Sequence, residues 1–306
     1  MSNLKTKITW NIHDFCRSEC SYCPIHLRGA SEIPETKEYL RVARLIIDAY
    51  AAMGRTIDWT INGGEPLDMN DIVTLLKLCK SESNSIDLTT NGGKLWMDWW
   101  AIEPYVDNLN LSYHYWQNPA LIKFIVDTFK TKGKRFTVSS PIRPDFFEED
   151  MTRVLEAEQQ CGITIGKTLL YNNADKAGGM FKYSNEQLMI MSGVRPRPPS
   201  PRPPEFTPPI PLPPLVQEKK YFETTSWDQR YKQAIISNPS YTGQKCNVGI
   251  ERLVISHSGW VSGSDCNNQP LGNIWHSGWT PPSGAQVCTM QACISSSDQK
   301  ITKFPI

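Results

Sequence analysis

Short apolar runs alternate with longer segments of helical periodicity along the first 180 residues of the chain. Runs rich in β-branched and aromatic residues predict six strands. They are Ile8–Ile12, Thr56–Ile61, Ser85–Thr90, Asn108–Tyr113, Arg135–Ser140 and Ile163–Leu170. Apolar residues at spacings of three and four predict helices over Lys37–Met53, Asp71–Cys79, Ala120–Lys130 and Glu148–Gln160. This alternation is typical of an α/β fold with a parallel sheet, either doubly wound or barrel-like, with ligands at the carboxyl ends of the strands.

A proline-rich segment, Arg195–Pro214, interrupts this pattern with 11 prolines among 20 residues. Because proline lacks the amide proton that helices and sheets need, we predict polyproline II or disorder there. The segment divides the chain into a barrel domain over 1–190, a linker over 191–220 and a small carboxyl-terminal domain over 221–306. A plain tether and a docking segment for an aromatic groove or a phosphate-bearing partner both stay open.

Composition indicates a globular protein without a membrane segment. The 306 residues are 40% hydrophobic, enough for a sizeable core, and the formal net charge of +1 gives no general bias toward nucleic acid. The amino end lacks a signal peptide, and the chain lacks 18 consecutive apolar residues, so we expect a cytoplasmic protein. Nine cysteines in that reducing compartment are more typical of metal ligands than of disulfides.

Three of these cysteines, Cys16, Cys20 and Cys23, follow the first predicted strand at spacings of four and three. Thiolates so placed can converge on one iron–sulfur cube and leave its fourth iron without a protein ligand. Three alternatives stay open: a zinc site with His26 as the nearby fourth ligand, a disulfide framework and buried structural thiols.

The second predicted strand ends in Asn62-Gly63-Gly64-Glu65-Pro66. The glycines allow the backbone to approach a ligand and Glu65 supplies charge, although such a loop alone is a common turn. We call the segment from Cys16 to Cys23 the cysteine loop. Together with this loop, and with Tyr22 before its last cysteine, the motif resembles the radical SAM (S-adenosylmethionine) superfamily. The resemblance implies a partial (β/α)6 barrel of TIM type and a SAM-binding [4Fe–4S] cluster, with the methionine amino group held at Gly63–Pro66.

Polar residues end the next three predicted strands. They are Thr90 and Asn91, then Ser112 and His114, then Ser140 and Arg143. Hydroxyl, amide and imidazole groups suit a ribose and a carboxylate, and the resemblance implies that these residues contact the cofactor. The alternatives are a simple turn at Asn91-Gly92, helix-capping serines, a core histidine and a surface arginine.

The carboxyl-terminal region carries four more cysteines, Cys246, Cys266, Cys288 and Cys293, around a hairpin predicted to turn at Ser258-Gly259. This region resembles the auxiliary-cluster domain, a β-hairpin plus helix, of the twitch and SPASM subgroups. The resemblance implies a second, fully thiolate-ligated [4Fe–4S] cluster; a structural zinc is the alternative. Cys79 and Cys161 are interpreted as buried apolar residues.

By resemblance, the function is reductive cleavage of SAM to a 5′-deoxyadenosyl radical that abstracts hydrogen from a substrate. A one-electron reductase such as flavodoxin or ferredoxin is the implied partner. Only 15 residues precede Cys16, so we expect a small-molecule or nucleotide-type substrate rather than a peptide found through a fused leader-binding domain. Maturation of a ribosomal peptide, modification of nucleic acid bases and a non-catalytic metal-binding scaffold are the alternatives.

Overall fold

The computed structural model describes residues 4–18, 20–23, 33–81, 83–93, 96–172, 179–193, 240–264, 270–276, 278–293 and 295–305. The predictions made for the proline-rich segment, for His26 and for Cys266 lie outside these residues.

Strands and helices alternate through the first two thirds of the chain. The strands are β1 (Leu4–Asn11), β2 (Arg55–Asn62), β3 (Ser85–Thr90), β4 (Asn108–Ser112), β5 (Arg135–Ile142) and β6 (Gly166–Leu169). The helices between them are α1 (Thr36–Ala52), α2 (Ile72–Cys79), α3 (Trp96–Ile102), α4 (Pro119–Thr131) and α5 (Phe147–Cys161). A short hairpin, β7 (Tyr171–Asn172) and β8 (Gly179–Met180), and helix α6 (Asn185–Met191) follow.

The order of strands decides between the two sheet architectures that the sequence left open. β1 to β6 are neighbours in sequential order, and every adjacent pair among them is parallel. A doubly wound sheet reverses its strand order at a switch point, whereas a barrel keeps winding in one direction. The α/β fold is therefore of the partial TIM-barrel type.

The hydrophobic core lies between the sheet and its helices. Alternate residues of β1 to β5 are buried, as Ile8 and Trp10 in β1, and they pack against apolar positions of the helices such as Tyr39. The Trp10 ring lies 5.9 Å from that of Tyr39 and 6.0 Å from that of Trp59. Each large apolar side chain buried in this layer contributes about 1.5–3 kcal/mol to folding. We call the opposite face of β1–β5, which points away from the helices, the inner face.

The carboxyl-terminal part adds strands to the same sheet. Its elements are β9 (Lys245–Cys246), β10 (Arg252–Ile255), β11 (Trp260–Ser262), β12 (Pro270–Asn273), β13 (Gln286–Val287), α7 (Ser296–Gln299) and β14 (Lys303–Phe304). β10 pairs in parallel with β1, and β11 and β12 continue the sheet outward. The turn between β10 and β11 contains Gly259 at φ 81°, as the predicted hairpin requires. β13, β9 and β14 form a separate three-stranded sheet.

Most element boundaries lie close to the predicted ones, and β3 coincides with its prediction. β6 is shorter than predicted, at Gly166–Leu169, and α3 is a helix that the periodicity did not predict. No helix among the described residues is both long enough and apolar enough to cross a bilayer.

Candidate active site

The cysteine loop and the glycine-rich loop touch each other because β1 and β2 are neighbouring parallel strands. The amide of Gly64 donates to the carbonyl of His13 at 2.6 Å, and the amide of Glu65 donates to that of Phe15 at 2.8 Å. A Cβ atom on Gly64 would lie 2.0 Å from the Phe15 oxygen, and one on Gly63 would lie 2.4 Å from the His13 oxygen. The two glycines therefore let the backbone approach the residues that lead into Cys16.

Glu65 joins the loop that follows β2 to the loop that follows β3. Its carboxylate accepts hydrogen bonds from the Leu67 amide at 2.9 Å, the Thr90 hydroxyl at 2.6 Å and the Asn91 amide at 2.6 Å. Burial raises the pKa of this carboxyl to about 7, although the three donors act in the opposite direction. Pro66, which is buried, begins the 3-10 turn that follows.

Two N–H groups point at sulfur atoms of the cysteine loop. The Trp116 indole donates to Cys20 Sγ at 3.3 Å, and the Asn91 amide nitrogen lies 3.7 Å from Cys16 Sγ and 3.1 Å from Ser18 Oγ. Cys20 is buried, while Cys16 and Cys23 are half-buried. Hydrogen bonds to the ligand sulfurs help to set the potential of iron–sulfur centres. One loop thus carries three thiols, two of them with N–H donors, which is the donor chemistry that the implied cluster requires.

An aromatic column lies beside Cys20. The His114 ring stacks on Tyr22 at an interplanar angle of 11° and on Trp116 at 8°. His114 Nδ1 lies 2.6 Å from the Tyr22 hydroxyl and 4.0 Å from Cys20 Sγ. Burial lowers the pKa of His114 to about 4, so the imidazole is neutral near pH 7. A neutral ring can exchange a hydrogen bond with the tyrosine without placing a cation beside the thiols.

Arg143, directly after the end of β5, lies at the edge of this aromatic column. Its guanidinium lies 3.8 Å from the centre of the Tyr115 ring and forms an ion pair with Asp150 at 2.6 Å. Ser112 ends β4 half-buried, and Ser140 is buried within β5. The structure thus brings residues from the ends of β2, β3 and β4 to the cysteine loop, while Arg143 is held by Asp150 on α5.

Sequence reasoning did not assign Trp116 and Gln117 to the site. Gln117 is buried, and its side chain accepts a hydrogen bond from the His114 amide at 2.5 Å and donates one to the Asn91 carbonyl. These bonds connect the loop after β3 to the loop after β4. The aromatic run from Tyr113 to Trp116 was the available signal, but the sequence does not specify that an indole N–H reaches a cysteine.

The carboxyl-terminal cysteines lie in and near the three-stranded sheet. Cys246 is in β9, opposite Gln286, and the Cys288 amide donates to the Gln244 carbonyl at 2.8 Å. Cys246, Cys288 and Cys293 are all buried, and the first two share a small apolar cluster with Val248 and Ile301. Cys266, the predicted fourth ligand, lies outside the described residues.

Within the part of the chain that the structure describes, no three side chains of His, Cys, Asp or Glu form a group arranged to hold one metal ion.

Comparisons with known proteins give similarity in structure. Neither a scan against protein-family models nor a search of curated proteins found a match. SuiB of Streptococcus suis, bound to S-adenosylmethionine, is 13% identical over 89% of this chain and 64% of its own, with a TM-score of 0.49. This chain therefore spans less than two thirds of the length of SuiB.

Two further solved structures are similar to a comparable degree. anSMEcpe with AdoMet and the Cp18Cys peptide is 13% identical over 89% of this chain and 77% of its own, at a TM-score of 0.47. SuiB bound to the precursor peptide SuiA is 12% identical over 90% of this chain and 63% of its own, at a TM-score of 0.43.

Proposed function

We propose that this chain is a radical SAM enzyme. The observation that carries the proposal is the contact between the two motif loops, with N–H donors directed at Cys16 and Cys20. When bound, a [4Fe–4S] cluster would supply one electron that splits SAM into methionine and a 5′-deoxyadenosyl radical. The radical would take a hydrogen atom from the substrate and would leave as 5′-deoxyadenosine.

Cys16, Cys20 and Cys23 would hold three irons, and the loop over Gly63–Pro66 would bind the methionine end of the cofactor. An ionised carboxylate has about four acceptor positions, and Glu65 uses three of them within the protein. We assign the remaining position to the methionine ammonium. Thr90, Asn91, Ser112, His114 and Ser140 would meet the ribose and carboxylate, with Arg143 at their edge.

A small-molecule or nucleotide-type substrate is our first candidate. Peptide maturation is the second, because the sequence order of Cys246, the hairpin and Cys266 resembles the auxiliary-cluster region of twitch and SPASM radical SAM proteins, many of which modify peptides. With Cys266 as fourth ligand, such a cluster would have no vacant iron, so we assign it electron relay rather than substrate binding. A one-electron reductase of the flavodoxin or ferredoxin kind would supply the electron in a reducing, cytoplasmic setting.

Anaerobic reconstitution tests the reaction. We expect purified protein loaded with iron and sulfide to release 5′-deoxyadenosine from SAM in the presence of dithionite. Cys20→Ala should abolish this release and remove one cluster's worth of iron. The matched control is Cys161→Ala, at the buried cysteine that ends α5, which should keep the iron and the release.

A zinc site or a scaffold would contradict the proposal by giving no 5′-deoxyadenosine from fully loaded protein. Cys266→Ala separates the two cluster roles, since it should keep SAM cleavage and impair turnover of substrate. Equal loss of cleavage in Cys20→Ala and Cys266→Ala, with the first cluster intact, would overturn the assignment of the auxiliary cysteines.

A further inference from the structure

The inner face of the partial barrel is polar along its strands. One row across the sheet is formed by Thr9, Thr60, Asp87, Asn108 and Arg135, which are register neighbours. Four of these residues are half-buried, and Arg135 is exposed. Barrel interiors of the TIM type are normally filled by bulky branched apolar side chains. This face is therefore not a packed core and is available to a ligand.

The row nearer the cysteine loop carries no charge. Asn11 is the register neighbour of Asn62, while Thr89, Asn110 and Thr137 are neighbours across the next three strands. The Thr137 hydroxyl donates to Asn110 Oδ1 at 2.7 Å, which leaves the Asn110 amide nitrogen facing the inner side as a donor. Amides and hydroxyls of this kind recognise neutral hydrogen-bonding groups.

Asn62, the residue of β2 in the same row, also favours a ligand that forms hydrogen bonds. Its side-chain oxygen is buried, and no donor among the described residues reaches it. A buried acceptor left without a donor costs about 1–3 kcal/mol. A ligand that donates a hydrogen bond here would remove that cost, whereas an apolar ligand would maintain it.

Farther from the cysteine loop, the inner face opens into a cavity of about 650 Å³. Charges of both signs line it: the cations are Lys5, Lys7, Lys134 and Arg135, and the carboxylates are Asp58, Asp87 and Asp107. Mixed charges in one cavity do not select a strongly anionic or strongly cationic ligand. They suit a neutral or zwitterionic molecule.

From these rows we infer that the substrate is a neutral or zwitterionic molecule rich in hydroxyl and amide groups, bound along the inner face between the cysteine loop and the cavity. The inference rests on the proposed function and adds the class of substrate. An aliphatic or lipid substrate would leave the Asn110 amide nitrogen and the Asn62 side-chain oxygen without partners, at a cost of about 1–3 kcal/mol for each group that becomes buried.

Transfer of deuterium into 5′-deoxyadenosine tests the class without knowledge of the compound. Cells that carry the gene are grown in deuterated medium and extracted into an aqueous and an organic phase. Each extract is given to reconstituted full-length protein with unlabelled SAM and dithionite. We expect deuterated 5′-deoxyadenosine with the aqueous extract. Passage of that extract through a small-pore filter then distinguishes small molecules from peptides, both of which carry this chemistry.

Variants of the inner face provide the second readout. Asn110→Leu removes a donor from the neutral row, so the deuterated fraction of the total 5′-deoxyadenosine should fall about tenfold or more. Asn185→Leu, at an exposed position on α6, is the matched control and should match the wild type. Deuterium transfer mainly from the organic extract, or an unchanged fraction in Asn110→Leu, would overturn the inference. Absence of 5′-deoxyadenosine in every arm would instead contradict the proposed function.

Discussion

Trp116 places an indole N–H against one of the three thiols of the cysteine loop, 3.3 Å from Cys20 Sγ. A donor to a ligand sulfur stabilises the reduced, more negative cluster. Since an ordinary hydrogen bond contributes about 1 kcal/mol, Trp116→Phe should shift the ratio of reduced to oxidised cluster about fivefold toward the oxidised form at a fixed potential. A redox titration followed by electron paramagnetic resonance measures this ratio.

The matched control is Trp100→Phe, because Trp100 is 60% exposed on α3 and its ring contacts Phe124 rather than the site. Its cluster should titrate like that of the wild type. An unchanged midpoint in Trp116→Phe with full cluster content would show that the indole does not act on the cluster.

Glu65 makes a testable contribution to the pH dependence of stability. Burial raises its pKa in the folded state to about 7 from an ordinary value of 4.5, so the folded protein binds the proton more tightly than the unfolded chain. The stabilisation is complete below pH 4.5 and is lost as the pH rises through about 7. The free energy of unfolding of the wild type, relative to Glu65→Gln, should therefore fall by roughly 2 to 3 kcal/mol between about pH 5 and about pH 8.

Urea denaturation of the cluster-free protein at the two pH values measures this difference. Asn185→Leu, at an exposed and uncharged position on α6, is the control, and its difference from the wild type should be the same at both pH values. If the wild type and Glu65→Gln keep a constant difference across this range, Glu65 does not titrate as its buried position predicts.

At the scale of elements, the junction of the loops after β1 and β2 is the most constrained contact. Gly64→Ala would force a Cβ atom to within 2.0 Å of the Phe15 carbonyl, so one loop must move. We expect the iron content to fall and the protein to lose about 1–3 kcal/mol of stability, as overpacked sites do. Iron analysis and thermal unfolding measure the two effects.

Gly284→Ala is a suitable control, since an added Cβ atom there meets nothing within 4 Å. It should retain iron and unfold like the wild type. Full iron content in Gly64→Ala would mean that the cysteine loop does not depend on this contact.

The predictable part of the fold is the part encoded locally. β3 and the four predicted helices follow from apolar spacing within each segment, and the two motif loops come together because their strands are neighbours. α3 escaped prediction because seven residues, Trp-Met-Asp-Trp-Trp-Ala-Ile, are too few and too uniformly apolar to show a helical period. The partners of Gly64, Cys20 and Asn91 were also beyond prediction, because each is far away in sequence and specified by tertiary packing.

At the scale of the whole molecule, the described carboxyl-terminal part is joined to the barrel by backbone pairing. β10 runs parallel to β1 from Lys7 opposite Arg252 to Trp10 opposite Ile255. The Thr6 hydroxyl also donates to the Ile250 carbonyl at 2.7 Å, and the buried Tyr50 hydroxyl donates to that of Gly249 at 2.5 Å. Loss of these contacts would expose the unpaired edge of β1, which is costly for a buried strand.

A cut between the two halves should therefore leave them together. We expect a chain with a site for a specific protease inserted after Pro204 to elute, once cleaved, as one species of the original size in gel filtration. The cleaved chain should separate into two fragments only in denaturant, and it should keep the iron bound by Cys16, Cys20 and Cys23. The uncleaved chain with the same insertion is the control. Separation of the fragments under native conditions would show that the pairing of β1 with β10 is too weak to hold the two regions together without the covalent connection.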